Sequence, residues 1–299
     1  MNIIVHIGWH KTGTTGIQVF LKNNEKRLID EHKIYYPTEG LIGCGHHKIA
    51  WALRGLENSP WGKINITDET AHILQAIESA KKLHCQSLVF SSEEFCTFSE
   101  SEIIKLNNML NVGNNKVTII AYVRRQDSLI ESSYNMEVKW WGSRLTEEFN
   151  DYIKNKSPFI KYDIILDSWA NVFGLENIKV RVFDTNYMPK NDVRLDFCAL
   201  TRIEPDNLFF DNKVSNKSLG PKGLAILRKL NRLKIHRKLH EKIVAILQIF
   251  EKPSKCVLFD QQQRIEFMEP LNDSNRNLAK FSINPDLLAL KVDSDNGKK

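Results

Sequence analysis

The amino-terminal segment carries a glycine loop whose residue types suit an anion. The apolar run Ile3–Ile7 leads into Gly8, and Lys11 precedes Gly13 at the start of a helical pattern. Three hydroxyls flank the lysine, those of Thr12, Thr14 and Thr15. Because the first N–H groups of a helix have no internal partner and the helix dipole favours negative charge there, this order predicts a phosphate cradle. The glycines keep G-x-x-x-x-G spacing without the lysine that normally follows, so we do not expect a magnesium-bound triphosphate. The alternative is a turn that only joins strand to helix.

A second candidate anion site follows a buried-type strand near the middle of the chain. The run Val117–Val123 leads into Arg124 and Arg125, and an apparent helix then carries Ser132 and Ser133. Guanidinium and hydroxyl groups together can hold a phosphate through charge-assisted hydrogen bonds. Either Arg124 with Ser132 or Arg125 with Ser133 can be the pair, and an exposed arginine pair with solvated serines is the alternative.

A candidate general base follows a third strand. Ser87–Ser91 delivers Glu93 and Glu94 to the strand end, and a carboxylate whose pKa rises on partial burial could accept a proton near neutral pH. The alternative is an acid that stabilises a helix N-terminus. His46 and His47 are further candidates, to orient the acceptor or to act as the base, since histidine titrates near neutrality. Adjacent histidines do not share a helix face, so they predict no metal site.

The elements that must position these residues alternate between strands and helices. Five apolar, β-branched runs predict strands at Ile3–Ile7, Lys33–Tyr36, Ser87–Ser91, Val117–Val123 and Ile178–Phe183. This order predicts a mostly parallel sheet with both faces covered, whose ligands gather at the carboxyl ends of the strands. Helices are predicted over Thr14–Asn23, after an N-cap at Thr67, and after about Asn212 at Gly220–Phe250, Gln261–Phe267 and Leu271–Phe281.

Bulk properties exclude several classes of protein. The chain has 299 residues, 42% of them hydrophobic, and no apolar run approaches the roughly 20 residues that span a bilayer. Its net charge of +6 suits an anionic ligand without implying nucleic acid. Five scattered cysteines without a C-x-x-C pair indicate reduced thiols and no metal site. A strand beginning at Asn2 leaves no room for a cleavable signal, so we expect a cytoplasmic protein. The basic, leucine-spaced segment Lys222–Lys242 predicts a core-facing helix, or else attraction to an anionic glycan or membrane surface.

The two arginine- and lysine-bearing segments resemble those of the sulfotransferases that use 3'-phosphoadenosine 5'-phosphosulfate (PAPS). HIGWHKTGTT at 6–15 is similar to the family's first loop, and the segment at 124–134 resembles its R-x-P-x-x-R-x-x-S-x-Y element, with Gln126 and Leu129 departing from the pattern. The S-S-E triplet at 91–93 looks like the counterpart of the family's K-T-H, and NDSNRNLAKF at 272–281 is similar to a terminal element of bacterial members. A glycine-rich K-G-x-x-G loop is absent, and Lys217 is its weak substitute.

The resemblance implies an α/β, P-loop-like three-layer fold with a C-terminal helical cap, as one domain with a core at 1–211, the cap at 212–292 and a frayed tail at 293–299. It implies sulfuryl transfer from PAPS, without a metal, to a hydroxyl or amine of a glycan, and it leaves peripheral membrane contact open. The implied catalytic residues are Lys11 and Glu93, and Glu39 is a further base candidate because glycan-directed members carry a glutamate in the comparable region. His47 completes the predicted catalytic set through its own chemistry. The implied PAPS-binding residues are Lys11, Thr12, Gly13, Thr14, Thr15, Arg124, Ser132 and Lys217. The alternatives are a P-loop kinase and a non-catalytic glycan-binding protein with a degenerate loop.

Overall fold

The computed structural model describes residues 1–155, 160–211, 218–250 and 257–290. They group into two compact units. The sheet unit comprises the described residues of Met1–Val123, Asp163–Asn212 and Phe281–Ile283. The helical unit comprises the described residues of Arg124–Tyr162, Lys213–Lys280 and Asn284–Lys299. The predicted division at 211/212 and the single domain stay predictions, while Lys217 and the tail from Asp293 lie outside the described residues.

The strands are β1 (Asn2–His6), β2 (Ile34–Tyr35), β3 (Asn58–Ser59), β4 (Gly62–Lys63), β5 (Ser87–Ser91), β6 (Lys116–Val123) and β7 (Ile178–Val182). The first helices are α1 (Thr14–Asn23), α2 (Glu25–Asp30), α3 (His47–Leu53), α4 (Ile66–Lys82), α5 (Glu100–Leu110), α6 (Gln126–Lys139) and α7 (Phe149–Asn155). They are followed by α8 (Tyr162–Phe173), α9 (Val193–Thr201), α10 (Pro221–Asn231), α11 (Arg237–Phe250), α12 (Gln261–Met268) and α13 (Asn272–Asn277). Helices α1 to α5, α9 and all of α8 after its first residue belong to the sheet unit, and the others belong to the helical unit.

Five strands form one parallel sheet in the order β2-β5-β1-β6-β7. His6 at the end of β1 pairs with Ser91 on one side and Ile120 on the other, so the carboxyl ends of β1 and β5 are level. Consecutive residues of β1 are buried, which shows that helices cover both faces of the sheet. The predicted α/β fold with its mostly parallel sheet is confirmed.

One face of the sheet packs on α1 and α9. Ile17, Phe20 and Leu21 recur at helical spacing on α1 and join Ile4 of β1 and Phe197 of α9 in one core cluster. Each of these side chains is almost completely buried, and full burial of an aliphatic or aromatic side chain contributes about 1.5–3 kcal/mol. This packing fixes the direction in which α1 leaves the glycine loop.

The predicted N-cap at Thr67 is wrong. Helix α4 begins two residues nearer the amino terminus, because the Asn65 side chain accepts a hydrogen bond from the backbone N–H of Asp68 at 3.4 Å. Asparagine caps a helix as well as serine or threonine does, and the acidic residues Asp68 and Glu69 still fall in the first turn.

The helical unit is organised around α6. The Asn135 side chain donates to the carbonyl of Leu219 at 2.6 Å and accepts from its N–H at 3.1 Å. Asn231 donates to the carbonyls of Val138 and Leu145 at 2.9 and 3.0 Å. Buried asparagines therefore tie the backbone that precedes α10 and the end of α10 to α6 and the residues after it.

The single helix predicted over Gly220–Phe250 is also wrong. The chain forms α10 and α11, with Lys234 between them in the left-handed region at φ 47°. Asn231 is the last residue of α10, and its hydrogen bonds fix it to the segment around α6. The helix therefore ends there, and the apolar residues that follow do not continue its buried face. Leu233, which the spacing placed in the core, is 67% exposed.

Candidate active site

The predicted glycine loop joins β1 to α1, and its two glycines are both required. Gly8 has φ 57° and Gly13 has φ 81°, a region that other residues rarely adopt. A Cβ on Gly8 would lie 2.9 Å from Thr14 Oγ1 and 3.3 Å from the Cα of Glu93. A Cβ on Gly13 would lie 2.8 Å from the ring of Phe183. The glycines therefore allow the loop to approach both its own helix and the end of β5.

Lys11 stands at the turn of the loop in a left-handed conformation. Its φ is 65°, which costs a non-glycine residue on the order of 1–2 kcal/mol. Strained residues of this kind cluster at functional sites because the surrounding structure holds them. That the Lys11 ammonium serves an anionic ligand stays a prediction.

The threonine hydroxyls are used inside the loop. Thr12 Oγ1 donates to the Trp9 carbonyl at 2.7 Å and accepts from the Trp9 N–H at 3.3 Å, and Thr14 Oγ1 donates to the same carbonyl at 3.2 Å. Thr12 and Thr14 are buried, whereas Thr15 is exposed. The hydroxyls predicted to hold a phosphate at positions 12 and 14 thus shape the loop, and Thr15 is the one that faces solvent.

The first turn of α1 offers backbone donors. Its N-cap is Gly13, which has no side chain that could satisfy the leading N–H groups. The carbonyl of Gly13 accepts from the N–H groups of Gly16 and Ile17, so the helix is regular from its start. This geometry fits a phosphate or sulfate oxygen at the N-terminus of α1.

Glu93 lies beside this loop at the end of β5. The Gln18 amide of α1 donates to Glu93 Oε2 at 3.1 Å, and His47 Nε2 of α3 is 3.9 Å from the same oxygen. Gly8 packs against the Cα of Glu93. The structure therefore brings together the glycine loop, Glu93 and His47, which the sequence had predicted separately.

The expectation that burial raises the pKa of Glu93 is wrong in its net direction. Burial raises the pKa of Glu93. The neighbouring His47 and His10, together with the hydrogen bond from Gln18, lower this pKa by a larger amount, so the net pKa is below the usual value. Glu93 is therefore ionised at neutral pH. It is ready to accept a proton, although its basicity is lower than the prediction assumed.

The two adjacent histidines have different environments. His46 accepts from the Ser91 N–H at 3.1 Å and donates to the Pro37 carbonyl at 3.0 Å, and burial lowers its pKa to about 3. His47 is partly exposed, and its Nδ1 lies 2.8 Å from the Ser92 hydroxyl. His46 therefore joins β5 to the segment at Pro37, and His47 is the histidine that faces Glu93.

Glu39 does not join this group within the described contacts. It is exposed, and its Oε2 accepts from the Tyr35 hydroxyl at 3.5 Å. Glu94 is also occupied elsewhere, since it pairs with Arg54 at 3.5 Å. Of the three acidic side chains weighed for this region, Glu93 is the one held beside the loop.

Sequence reasoning missed Gln18 and Gly45. Gln18 is buried in the apolar face of α1, and a polar residue inside such a stripe was the available indication. A Cβ on Gly45 would lie 2.6 Å from His47 Nε2 and 2.7 Å from Gln18 Nε2. Gly45 thus leaves the space in which both partners of Glu93 sit.

In the helical unit, Arg124 and Arg125 precede α6 and differ in their surroundings. Arg125 makes a bidentate pair with Asp127, with N–O distances of 2.7 and 2.9 Å. Burial lowers the pKa of Arg124, the direction expected for a cation removed from water, and an anionic ligand would offset that cost. Ser132 and Ser133 are both half-buried on α6. Which of the two arginines serves a phosphate stays a prediction.

Two C-terminal segments hold the start of α6. Arg264 pairs with the fully buried Asp127, and at 3.0 Å with Glu131. Gln126 donates to Asn275 Oδ1 at 2.6 Å, and both amides are buried. Asn275 lies in the S-N-R segment that carried the terminal resemblance, so the structure gives that segment a role in fixing the first residue of α6.

No family model matches the sequence. An uncharacterised protein from Archaeoglobus fulgidus is 30% identical over 195 residues, which are 64% of this chain and 52% of that protein. The chain spans about half the length of that curated relative. The crystal structure of a sulfotransferase from Alicyclobacillus acidocaldarius matches with a TM-score of 0.53 and 13% identity, covering 94% of this chain and 96% of that one.

The chain has the fold of a sulfotransferase. The sulfotransferase domain from the curacin biosynthetic pathway also matches, over 91% of this chain and 96% of that one with 12% identity, but its TM-score of 0.41 is too low to support an argument. In the part of the chain that the structure describes, no helix has both the length and the apolar character needed to cross a bilayer. Those same residues contain no group of three or more His, Cys, Asp or Glu side chains arranged for a metal ion.

Proposed function

We propose that the protein transfers a sulfuryl group from PAPS to a hydroxyl or amine of a glycan. The observation that supports this most directly is the assembly of the glycine loop, an ionised carboxylate and a histidine at the carboxyl ends of β1 and β5. This edge of a parallel sheet is where ligands of such folds bind, and the fold is that of a sulfotransferase.

In this proposal the loop holds the 5' end of the donor. The N–H groups at the start of α1 bind the 5'-phosphate oxygens, and the Lys11 ammonium neutralises the charge that develops there as the sulfur–oxygen bond breaks. Thr12 and Thr14 act indirectly, through their bonds to Trp9 that fix the loop. The donor supplies the sulfuryl group, and the 5'-phosphate oxygen keeps the electron pair of the broken bond.

Glu93 accepts the proton that the acceptor hydroxyl or amine loses as its oxygen or nitrogen bonds to sulfur. The carboxylate is suited to this because its lowered pKa keeps it ionised. His47, 3.9 Å away, stabilises that charge and is the second candidate for the base. Its Nδ1 faces Ser92, whose hydroxyl also accepts from the Glu94 N–H, so the Nε2 edge of the ring is directed to Glu93.

Arg124 and Ser132 bind the 3'-phosphate in this proposal. The assignment follows the family resemblance, with Arg125 and Ser133 as the alternative register. Two phosphate sites would distinguish PAPS from other adenosine phosphates. The glycan acceptor rests on resemblance to bacterial members of the family, and a cytoplasmic location is proposed from the scattered cysteines, which indicate reduced thiols.

Ligand-induced thermal stabilisation tests the donor class. Adenosine 3',5'-bisphosphate should raise the melting temperature, and ATP with magnesium should raise it less, since only ligands of the folded state stabilise it. Stabilisation by ATP with magnesium alone would indicate a kinase, and stabilisation by neither would indicate a non-catalytic protein.

Transfer of radiolabelled sulfuryl groups from PAPS to a panel of glycans tests the reaction. Lys11→Ala should abolish transfer, whereas Lys26→Ala, at an exposed lysine on α2, should not change it. Unchanged transfer by Lys11→Ala would contradict the proposed mechanism.

A further inference from the structure

Helix α11 of the helical unit exposes an apolar stripe. Leu239, Ile243, Ile246 and Phe250 are spaced by four, three and four residues, so they lie along one side of the helix. Leu239 and Ile246 are about half exposed, Ile243 is partly buried, and Phe250 is 82% exposed. Side chains that form a continuous apolar row and remain exposed mark an interaction surface.

The first turns of α11 anchor the helix and its second half extends the exposed row. His240 is buried, and its Nε2 lies 3.0 Å from Asn231 Oδ1 at the end of α10. The Arg237 guanidinium lies over the Trp141 ring, 4.4 Å from its centroid. The exposed apolar side chains from Ile246 to Phe250 are farther along the helix than these contacts, so the row is presented by a helix whose start is fixed.

Basic residues accompany the apolar row. Between Lys222 and Phe250 the only acidic residue is Glu241, which pairs with Arg237, and the segment has eight basic residues. These are Lys222, Arg228, Lys229, Arg232, Lys234, Arg237, Lys238 and Lys242. Lys242 is three residues after Leu239 and four before Ile246, so it lies next to the apolar row. Lys238 lies one helical turn before Lys242, on the same side of the row. The surface therefore combines exposed apolar side chains with positive charge.

We propose that α11 lies in the headgroup region of an anionic lipid bilayer, with the row of Leu239, Ile243, Ile246 and Phe250 facing the acyl chains and with Lys238 and Lys242 at the lipid phosphates. A basic helix with a strong apolar side has the composition of an interfacial helix. A second copy of the chain would bring like charges together, and a free glycan would leave the apolar row in water. An anionic bilayer satisfies both features, because its acyl chains suit the row and its phosphates suit the lysines, and this inference does not depend on the donor chemistry.

Vesicle flotation with the full chain tests the proposal. The protein should float with vesicles of phosphatidylcholine and phosphatidylglycerol, and much less with phosphatidylcholine alone or at high salt. Ile246→Ser with Phe250→Ser should weaken partitioning at least about tenfold, because both side chains lose apolar area that the bilayer would bury. Lys238→Gln with Lys242→Gln should weaken partitioning roughly 25-fold, at about fivefold for each charge.

Matched variants in other elements serve as controls. Ile164→Ser changes a 59% exposed apolar side chain on α8, and Lys26→Gln with Lys105→Gln removes two exposed charges, and neither should change flotation. Circular dichroism melting verifies that each variant is folded. The proposal fails if no vesicle binds the protein, or if the apolar variants float like the parent, which would indicate adsorption by charge alone. It also fails if light scattering shows a dimer in the absence of lipid that the Phe250 variant abolishes, since the row would then bind a second copy.

Discussion

The same chemical change at two glycines three residues apart should have opposite effects. Gly13 caps α1 at φ 81° and packs under Phe183 and Val193, whereas Gly16 lies inside α1 with no atom within 4 Å of the position its Cβ would take. Gly13→Ala therefore alters the anion loop, and Gly16→Ala alters only the helix behind it. The pair isolates the loop geometry from the general effect of adding a methyl group.

The magnitudes follow from the geometry at each position. At Gly13, alanine pays about 1–2 kcal/mol for the left-handed backbone. Its Cβ would meet Phe183 at 2.8 Å and Val193 at 2.9 Å, and such overpacking costs about 1–3 kcal/mol. The sum of about 2–5 kcal/mol should lower the melting temperature by roughly 5–15 °C. At Gly16, alanine should add about 0.5–1 kcal/mol of stability, because it replaces glycine inside a helix.

Thermal unfolding with and without adenosine 3',5'-bisphosphate measures both effects. Gly16→Ala should melt above the parent and keep the full ligand-induced shift. Gly13→Ala should melt lower, and calorimetric titration below its melting transition should show that its affinity for the ligand is largely lost. If Gly13→Ala bound the ligand as the parent does, the loop at the start of α1 would not be the phosphate site.

Three further predictions concern charge. Arg124→Ala should weaken binding of adenosine 3',5'-bisphosphate on the order of tenfold or more and leave binding of adenosine 5'-phosphate unchanged. Arg125→Ala should weaken bisphosphate binding less, and the reverse order of the two affinities in calorimetry would favour Arg125 with Ser133 as the phosphate ligands. His47→Ala should move the acidic limb of the pH dependence of transfer upward, because the pKa of Glu93 rises when this neighbour is removed; a limb that stays in place would assign that limb to another group. Stability should fall as pH drops below about 6.5, since unfolded His46 takes a proton there while folded His46, with a pKa of about 3, does not. At pH 5 this costs roughly 2 kcal/mol, and urea titrations should show a shallower loss for His46→Gln.

The parallel sheet could be predicted because its strands are buried on both faces. Such strands appear as continuous apolar runs, and β5 was predicted with its observed bounds of Ser87–Ser91. Helix α1 was also predicted with its observed bounds, since Gly13 gives the start and Ile17, Phe20 and Leu21 give the buried side. The position of a glycine and the spacing of apolar residues can both be read within a short stretch of sequence, and these two features determine β5 and α1.

The surroundings of Glu93 could not be predicted in the same way. Gln18 donates to a carboxylate 75 residues away, and His47 reaches it from a third element. The pKa of Glu93 depends on whether burial or these neighbours have the larger effect, and only the assembled site determines that balance. Sequence reasoning had burial alone to use, and it therefore gave the wrong direction.

Long-range polar pairs also explain the misjudged helices. Asn231 ends α10 because its amide is held by carbonyls 93 and 86 residues earlier, at Val138 and Leu145. The pairing of Gln126 with Asn275 spans 149 residues and is buried. Nothing in the local period of either segment shows such partners, so the break after α10 and the role of Asn275 emerge only in the folded chain.

The arrangement around Glu93 resolves an electrostatic conflict in the proposed reaction. A loop that binds an anionic donor lies against an ionised carboxylate, and the two charges repel when water is excluded. His47 and His10 lower the pKa of Glu93 through their charge, and Gln18 lowers it through a hydrogen bond. The same groups that keep the base ionised therefore also reduce its repulsion of the donor. Loss of His47 should accordingly weaken donor binding as well as alter proton transfer, a coupling that a purely structural histidine would not produce.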